Sequence, residues 1–88
     1  MVRVDITDDV VCLAHTDDGR YFAIADTCSH GKASLSDGWL EGTEVKCPKH
    51  QSVFSLESGD PLTAPAILPQ RTYTVAVDGD DILLEPSP

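Results

Sequence analysis

The chain has 88 residues, enough for one domain with a small core, and domains of this size commonly depend on disulfides or a bound metal. Its 15 acidic and 6 basic residues give a formal charge of −9, which excludes nucleic acid and anionic membranes as favoured partners. Three cysteines are too few, and odd in number, for a disulfide framework, so a metal is the expected support.

The composition also bears on location. No charged-then-apolar leader opens the sequence, and no apolar run approaches the roughly 20 residues needed to cross a bilayer. Asn is absent, so there is no acceptor site for N-linked glycans. We therefore expect a soluble, cytoplasmic protein.

The first 25 residues predict a strand and a hairpin. Apolar and polar residues alternate over 2–7, the period-two pattern of a strand with one buried face. Two apolar runs, 10–14 and 21–25, flank residues 16–20, in which an Asp-Gly pair readily takes a positive backbone φ. These two runs predict an antiparallel hairpin.

The middle of the chain has a different character. Residues 27–70 are rich in Gly and Pro and show no sustained 3.6-residue apolar repeat, so almost no helix is expected. Short strands are expected at 44–46 and 53–56, between turns. This stretch has too little apolar content to order itself, so something must tie its loops together.

The end of the chain predicts a second hairpin. Residues 72–77 alternate, residues 78–81 read Asp-Gly-Asp-Asp, and an apolar run follows at 82–84. The expected fold is therefore all-β and forms one domain over 1–88. An antiparallel sandwich or barrel base, at about 1–26 and 71–88, carries an inserted loop-rich lobe at about 27–70.

The middle stretch contains two mixed pairs of metal-ligating residues. Cys28-Ser29-His30 and Cys47-Pro48-Lys49-His50 together read C-x-H-x16-C-x2-H. Thiolate and imidazole bind zinc, copper and iron–sulfur centres. Structural zinc usually takes pairs of like residues, whereas one Cys and one His from each loop suit a cluster whose two irons have different ligands. The pattern favours an iron–sulfur cluster and leaves zinc as the alternative.

The stretches CSHGKASLSDGWLEG and CPKHQSVFSLESGDPLTAPA resemble the two cluster loops of Rieske ferredoxins from bacterial aromatic-ring-hydroxylating dioxygenase systems, and the resemblance extends over nearly the whole chain. It implies the Rieske fold and one 2Fe-2S cluster. Cys28 and Cys47 would bind the inner iron. His30 and His50 would bind the outer iron through their δ nitrogens, near solvent.

The resemblance also implies a function. The chain would be a monomeric electron carrier rather than an enzyme, without catalytic residues of its own. It would pass single electrons from an NAD(P)H-dependent ferredoxin reductase to the terminal oxygenase. Two alternatives stand beside this reading: a fixed Rieske subunit of a larger oxidoreductase, such as a nitrite-reductase-like or arsenite-oxidase-like assembly, and a structural zinc module.

Several residues differ from the high-potential branch of that family. Ala33 and Lys49 stand where the branch has two cysteines that form a disulfide, and Phe54 replaces a tyrosine, while Ser52 matches a serine that donates a hydrogen bond toward the cluster. Fewer donors predict a potential toward the low end of the Rieske range of about −150 to +300 mV. Gln51 stands where the family often has Gly.

Three further residues carry expectations. Cys12 lies in an apolar run and is expected to be a small buried residue of the base. Trp39 is expected to fill the lobe, rather than to shield the cluster or dock a partner. Pro65 resembles the family's third loop, which covers the cluster.

Overall fold

A computed structural model describes residues 1–29, 31–49, 51–64 and 68–87. Within these ranges the chain forms eight strands and one short 3-10 turn, so the expected all-β fold is confirmed. The strands are β1 Val2–Ile6, β2 Asp9–His15, β3 Tyr21–Ala25, β4 Trp39–Glu41, β5 Glu44–Lys46, β6 Val53–Ser55, β7 Thr72–Asp78 and β8 Asp81–Pro86, and the 3-10 turn is Leu35–Asp37.

The larger sheet has five antiparallel strands in the order β1-β2-β3-β7-β8. Both expected hairpins are present in it, β2 with β3 and β7 with β8. Their turns use Gly19 at φ 87° and Gly79 at φ 62°, backbone conformations that favour glycine because it has no Cβ. The two ends of the chain meet where Ala23 of β3 lies opposite Tyr73 of β7.

The strand β1, Val2–Ile6, is one residue shorter than the alternating stretch 2–7 and has a shallower buried face than the alternation suggested. Val4 and Ile6 are half-buried, while Val2 is 59% exposed. This strand lies at the edge of the sheet and pairs with β2 alone, so its outer end receives little cover. Alternation therefore predicted the strand correctly and overstated its burial.

The smaller sheet has three antiparallel strands in the order β4-β5-β6. The strand expected at 44–46 is present, the one expected at 53–56 ends at Ser55, and β4 was not predicted. Gly38 precedes β4 at a point of close approach, because a Cβ there would lie 1.9 Å from the carbonyl oxygen of Lys46. Only glycine allows β4 to begin so close to the end of β5.

The main hydrophobic core joins residues of both sheets. Its buried members are Cys12, Ala14, Ile24, Cys28, Leu35, Val45, Cys47, Phe54 and Leu56. A second cluster, in the larger sheet, contains Val11, Ala23 and Tyr73, and the Tyr73 hydroxyl donates a 2.6 Å hydrogen bond to Asp9 Oδ2. Both cysteines that were predicted to bind metal, Cys28 and Cys47, therefore lie inside the main core.

The described part of the chain contains no helix long and apolar enough to span a membrane.

Candidate metal centre

The first candidate ligand loop, residues 26–34, is closed by its own backbone. Thr27 and Ser34 form an isolated antiparallel bridge, and inside it the Cys28 amide donates to the Ala33 carbonyl over 2.9 Å. The Gly31 amide donates back to the Cys28 carbonyl over 3.1 Å. These bonds place Cys28 at the base of a tight turn, next to the core.

A buried carboxylate holds this loop to the rest of the protein. Asp26 is 2% exposed, and its side chain accepts hydrogen bonds from the Ser34 hydroxyl and from the Ser36 amide, the latter over 2.9 Å. Its backbone amide donates to Val10 of the larger sheet, and its carbonyl accepts from the Leu35 amide. A buried charge is stable only when it is satisfied in this way. Asp26 thus connects the loop, the larger sheet and the 3-10 turn.

The second candidate ligand loop, residues 47–52, connects β5 to β6. The Cys47 amide donates to the Ser52 carbonyl over 2.7 Å, so the two ends of the loop are held together. Gln51 has φ 60°, the left-handed conformation that L side chains rarely adopt. This backbone explains why glycine, which has no Cβ, suits the position.

The thiols of Cys28 and Cys47 meet in the core. They are 2% and 0% exposed, and both are thiols rather than halves of a disulfide. Burial raises the pKa of Cys47, a hydrogen bond from the Lys49 amide lowers it, and a hydrogen bond with the Cys28 thiol raises it again. The fold therefore brings one cysteine from each loop into the same core cluster, and their role as metal ligands stays a prediction.

The remaining predicted ligands, His30 and His50, lie outside the described residues, and so does Pro65 of the expected third loop. The described ranges contain no group of three or more metal-ligating side chains. The structure therefore describes only the two cysteines of the predicted ligand set, and the assignment of all four residues as ligands stays a prediction.

Three residues that were compared with the high-potential branch lie in or beside the second loop. Phe54 is fully buried and belongs to the same cluster as both thiols, and Ser52 is fully buried as well. Lys49 is exposed, and its Cδ lies 3.7 Å from the point where a Cβ of Gly31 would be. The Lys49 chain therefore lies alongside the first loop, which places the two loops next to each other.

The third cysteine is separate from this pair. Cys12 is fully buried, and its thiol donates to the Met1 sulfur over 3.7 Å. Burial and, to a smaller extent, the Asp26 carboxylate raise the pKa of Cys12, the charged amino terminus lowers it, and the result is a pKa of about 12. The expectation of a buried core cysteine is confirmed.

The expectation for Trp39 was wrong. Its side chain is 52% exposed and lines an open groove of about 330 Å³, together with Leu40, Glu41, Lys46 and Gln51. Because β4 is an outer strand of the small sheet, alternate side chains on it face solvent, and Trp39 is one of them. The indole contributes surface beside the second loop and does not fill the lobe.

Sequence reasoning missed two residues of this region, Asp26 and Gln70. Asp26 follows an apolar strand as an ordinary loop acid would, and nothing in its neighbourhood signals that it is buried. The Gln70 amide bonds to residues more than 40 positions earlier in the chain, a contact that no local pattern encodes.

The protein is a small antiparallel β protein whose core contains one thiol from each of two neighbouring loops. The profile of the Rieske [2Fe-2S] domain matches residues 1–74, and the chain belongs to that family. Membership of this family favours one Rieske-type 2Fe-2S cluster over the alternative of a structural zinc ion. The described donors fit it, because a Rieske cluster takes cysteine thiolates on one of its two irons.

Relatives and structural neighbours agree with this family. The 3-phenylpropionate/cinnamic acid dioxygenase ferredoxin subunit of Escherichia coli (strain K12) is 44% identical over 85 residues, covering 96% of this chain and 78% of the relative. The ferredoxin of carbazole 1,9a-dioxygenase from Nocardioides aromaticivorans IC177 superposes with a TM-score of 0.90 at 35% identity, covering 98% of this chain and 84% of that one.

A third similar structure comes from a complex. It is described as the complex of reduced oxygenase and oxidized ferredoxin in carbazole 1,9a-dioxygenase, and it superposes with a TM-score of 0.87 at 31% identity, covering 94% of this chain and 85% of that one. The expected likeness to dioxygenase-type Rieske ferredoxins is confirmed.

Proposed function

We propose that Cys28, His30, Cys47 and His50 hold the cluster, one thiolate and one imidazole from each loop. The observation that carries this assignment is that Cys28 and Cys47, which come from two separate loops, are buried in the same core cluster. Each thiol is followed within three positions by a histidine of its own loop. The two thiolates then serve one iron and the two imidazoles serve the other.

The bound cluster supplies one-electron redox chemistry, and the chain determines from which side a partner can reach it. The thiol side is enclosed by core residues such as Leu35, Val45 and Phe54, all fully buried. Pro48 and Lys49 of the second loop and Lys32 of the first are exposed. A partner therefore approaches from the outward side of the loops, and electrons enter and leave there.

The function that best fits this arrangement is one-electron transfer from an NAD(P)H-dependent ferredoxin reductase to the terminal oxygenase of an aromatic-ring-hydroxylating dioxygenase system. The names of the ferredoxin relatives and the oxygenase–ferredoxin complex of a structural neighbour support it. In this function the chain transforms no substrate of its own. It acts as a cytoplasmic monomer that binds each partner in turn.

The charge distribution suits such transient binding. Residues 28–50 contain three Lys and three acidic residues, so all nine excess negative charges lie elsewhere. A partner that approaches the loops meets a stretch without net charge, while the acidic remainder keeps the protein dispersed.

Electron delivery can be tested with the purified protein, a candidate reductase and NADH under anaerobic conditions. The cluster should be reduced by the reductase, and the reduced protein should then reduce cytochrome c or a dioxygenase oxygenase component. His30→Ala and His50→Ala should abolish the Rieske visible and electron paramagnetic resonance (EPR) spectra, while His15→Ala, which changes the third histidine, serves as the control and should retain them. Retention of both spectra in His30→Ala or His50→Ala would remove the ligand assignment.

The alternative of a fixed small subunit differs in assembly rather than in cluster chemistry. Size-exclusion chromatography of the holoprotein, alone and with the reductase, separates the two. A stable monomer that passes electrons at catalytic concentrations supports the diffusing carrier. A protein that is active only within a stoichiometric complex supports the fixed subunit.

A further inference from the structure

The side chain of Gln70, just before β7, contacts the first ligand loop. Gln70 directly precedes the last hairpin and is 5% exposed. Its amide oxygen accepts a 2.7 Å hydrogen bond from the Ser29 amide, and its amide nitrogen donates to the carbonyls of Ala25 and Thr27 over 2.7 and 2.8 Å. Both ends of the amide group are therefore used.

These three partners lie on either side of Cys28. Thr27 and Ser29 are its immediate neighbours in the chain, and Ala25 is the last residue of β3. One buried amide thus holds the backbone from the end of the strand to the residue after the thiol. The Ser29 hydroxyl adds a 2.6 Å hydrogen bond to the Leu68 carbonyl, which connects the same loop to residues 68–70 a second time.

Only a side chain with both donors and an acceptor can make this set of bonds. Leucine has neither, and a glutamate carboxylate would place negative oxygen against two carbonyl oxygens. Because the site is buried, backbone groups that lose these partners cannot bond to water instead. An unsatisfied buried group costs more free energy than a typical hydrogen bond contributes to stability. The amide at position 70 therefore matters for the shape of the loop and not only for its attachment.

We propose that Gln70 is a positioning residue for the cluster: its amide sets the backbone of the first ligand loop around Cys28 and, through Ser29, the start of the segment that carries His30. This inference rests on the proposed ligand set. The Gln70 backbone is itself fixed, since its amide donates to the Gly59 carbonyl over 2.8 Å. A Cβ on Gly59 would lie 2.2 Å from the Gln70 carbonyl oxygen, so the two segments are in close contact.

The test compares holoprotein variants that lose hydrogen bonds at the loop with one that loses a hydrogen bond elsewhere. Gln70→Leu removes all three amide bonds at similar volume, and Ser29→Ala removes only the bond to Leu68. Tyr73→Phe is the matched control, because it removes one buried hydroxyl bond, to Asp9, within the larger sheet. The measurements are the EPR spectrum of the reduced cluster, the rate of cluster loss in chelator, and the urea midpoint of unfolding.

Gln70→Leu is expected to shift or broaden the EPR spectrum and to speed cluster loss by about tenfold, beyond what its change in urea midpoint accounts for. Ser29→Ala should change both in the same direction and by less. Tyr73→Phe should lower the urea midpoint and leave the spectrum and the rate of cluster loss unchanged.

Gln70→Leu and Ser29→Ala proteins with the spectrum and cluster-loss rate of the wild type would overturn the inference. Should Gln70→Leu fail to fold, Ser29→Ala and Gln70→Glu carry the same comparison. A wild-type protein without iron or acid-labile sulfide would instead overturn the proposed function, so the two failures are distinguishable.

Discussion

Cys28 and Cys47 belong to different loops, yet both are buried in one core cluster, close enough for the Cys28 thiol to raise the pKa of Cys47, while the third thiol, that of Cys12, bonds to the Met1 sulfur. This separation predicts which cysteines hold the cluster. Cys12→Ala should retain the cluster with its spectrum unchanged, at a cost of about 1 kcal/mol in unfolding free energy for the small cavity.

Cys28→Ala and Cys47→Ala proteins should instead lose the cluster on purification. Iron content, acid-labile sulfide and the visible spectrum measure the outcome. Loss of the cluster in Cys12→Ala, with urea unfolding otherwise as expected, would show that the core cysteine takes part in binding.

Gln51 adopts a left-handed backbone at φ 60° without being glycine. Gln51→Gly should relieve roughly 1–2 kcal/mol of steric strain, offset by about 0.5–1 kcal/mol of extra entropy in the unfolded chain. The net expectation is a stabilisation of about 0.5–1 kcal/mol, measured by urea unfolding of the holoprotein. Gln51→Ala is the control, since it removes the side chain and keeps the Cβ, and it should bring no gain. Equal stability of the two variants would contradict the strain argument.

Ser52 is fully buried at the end of the second loop, and its carbonyl accepts from the Cys47 amide. A hydroxyl that donates toward the cluster stabilises the reduced state, so Ser52→Ala should lower the reduction potential, by an amount on the order of tens of millivolts. Ser55→Ala is the matched control, because that hydroxyl accepts from the Glu57 and Ser58 amides of a turn. Voltammetry of the three proteins gives the comparison. An unchanged potential in Ser52→Ala would show that its hydroxyl points elsewhere.

Trp39 is half-exposed beside the second loop, in a groove that also includes Gln51. Large exposed aromatic side chains are frequent anchors in protein interfaces, so Trp39→Ala should slow electron transfer from the reductase or to the oxygenase by about tenfold, with an unchanged potential. Leu83→Ala is the control, since Leu83 is 51% exposed on β8 of the other sheet. Stopped-flow rates against partner concentration measure the effect. Equal rates for both variants would remove Trp39 from the docking surface.

Local sequence patterns made the strands near the two ends of the chain predictable. Two apolar runs predict the first hairpin and period-two alternation helps to predict the second, and the turns at Gly19 and Gly79 have a positive φ that glycine adopts freely. The strand β4 was missed because three residues carry no readable period, and its place depends on pairing with β5 and on the absence of a side chain at Gly38.

The candidate ligand residues could be proposed from the sequence because their spacing is itself the chemical signal. The support around them was not. The Gln70 amide reaches back to Thr27 and Ser29, and the Asp26 carboxylate is buried by segments that meet only in the folded chain. Such contacts follow from tertiary packing, which local patterns do not contain.

We propose that the protein holds one 2Fe-2S cluster with sulfur ligands on one iron and nitrogen ligands on the other. The most direct test is anaerobic reduction of the purified protein followed by pulsed EPR, with iron and acid-labile sulfide measured on the same sample. We expect two irons and two sulfides per chain, as in a Rieske [2Fe-2S] cluster, and nitrogen couplings from two imidazoles. Air-protected material without iron and sulfide, or a reduced cluster without nitrogen couplings, would contradict it.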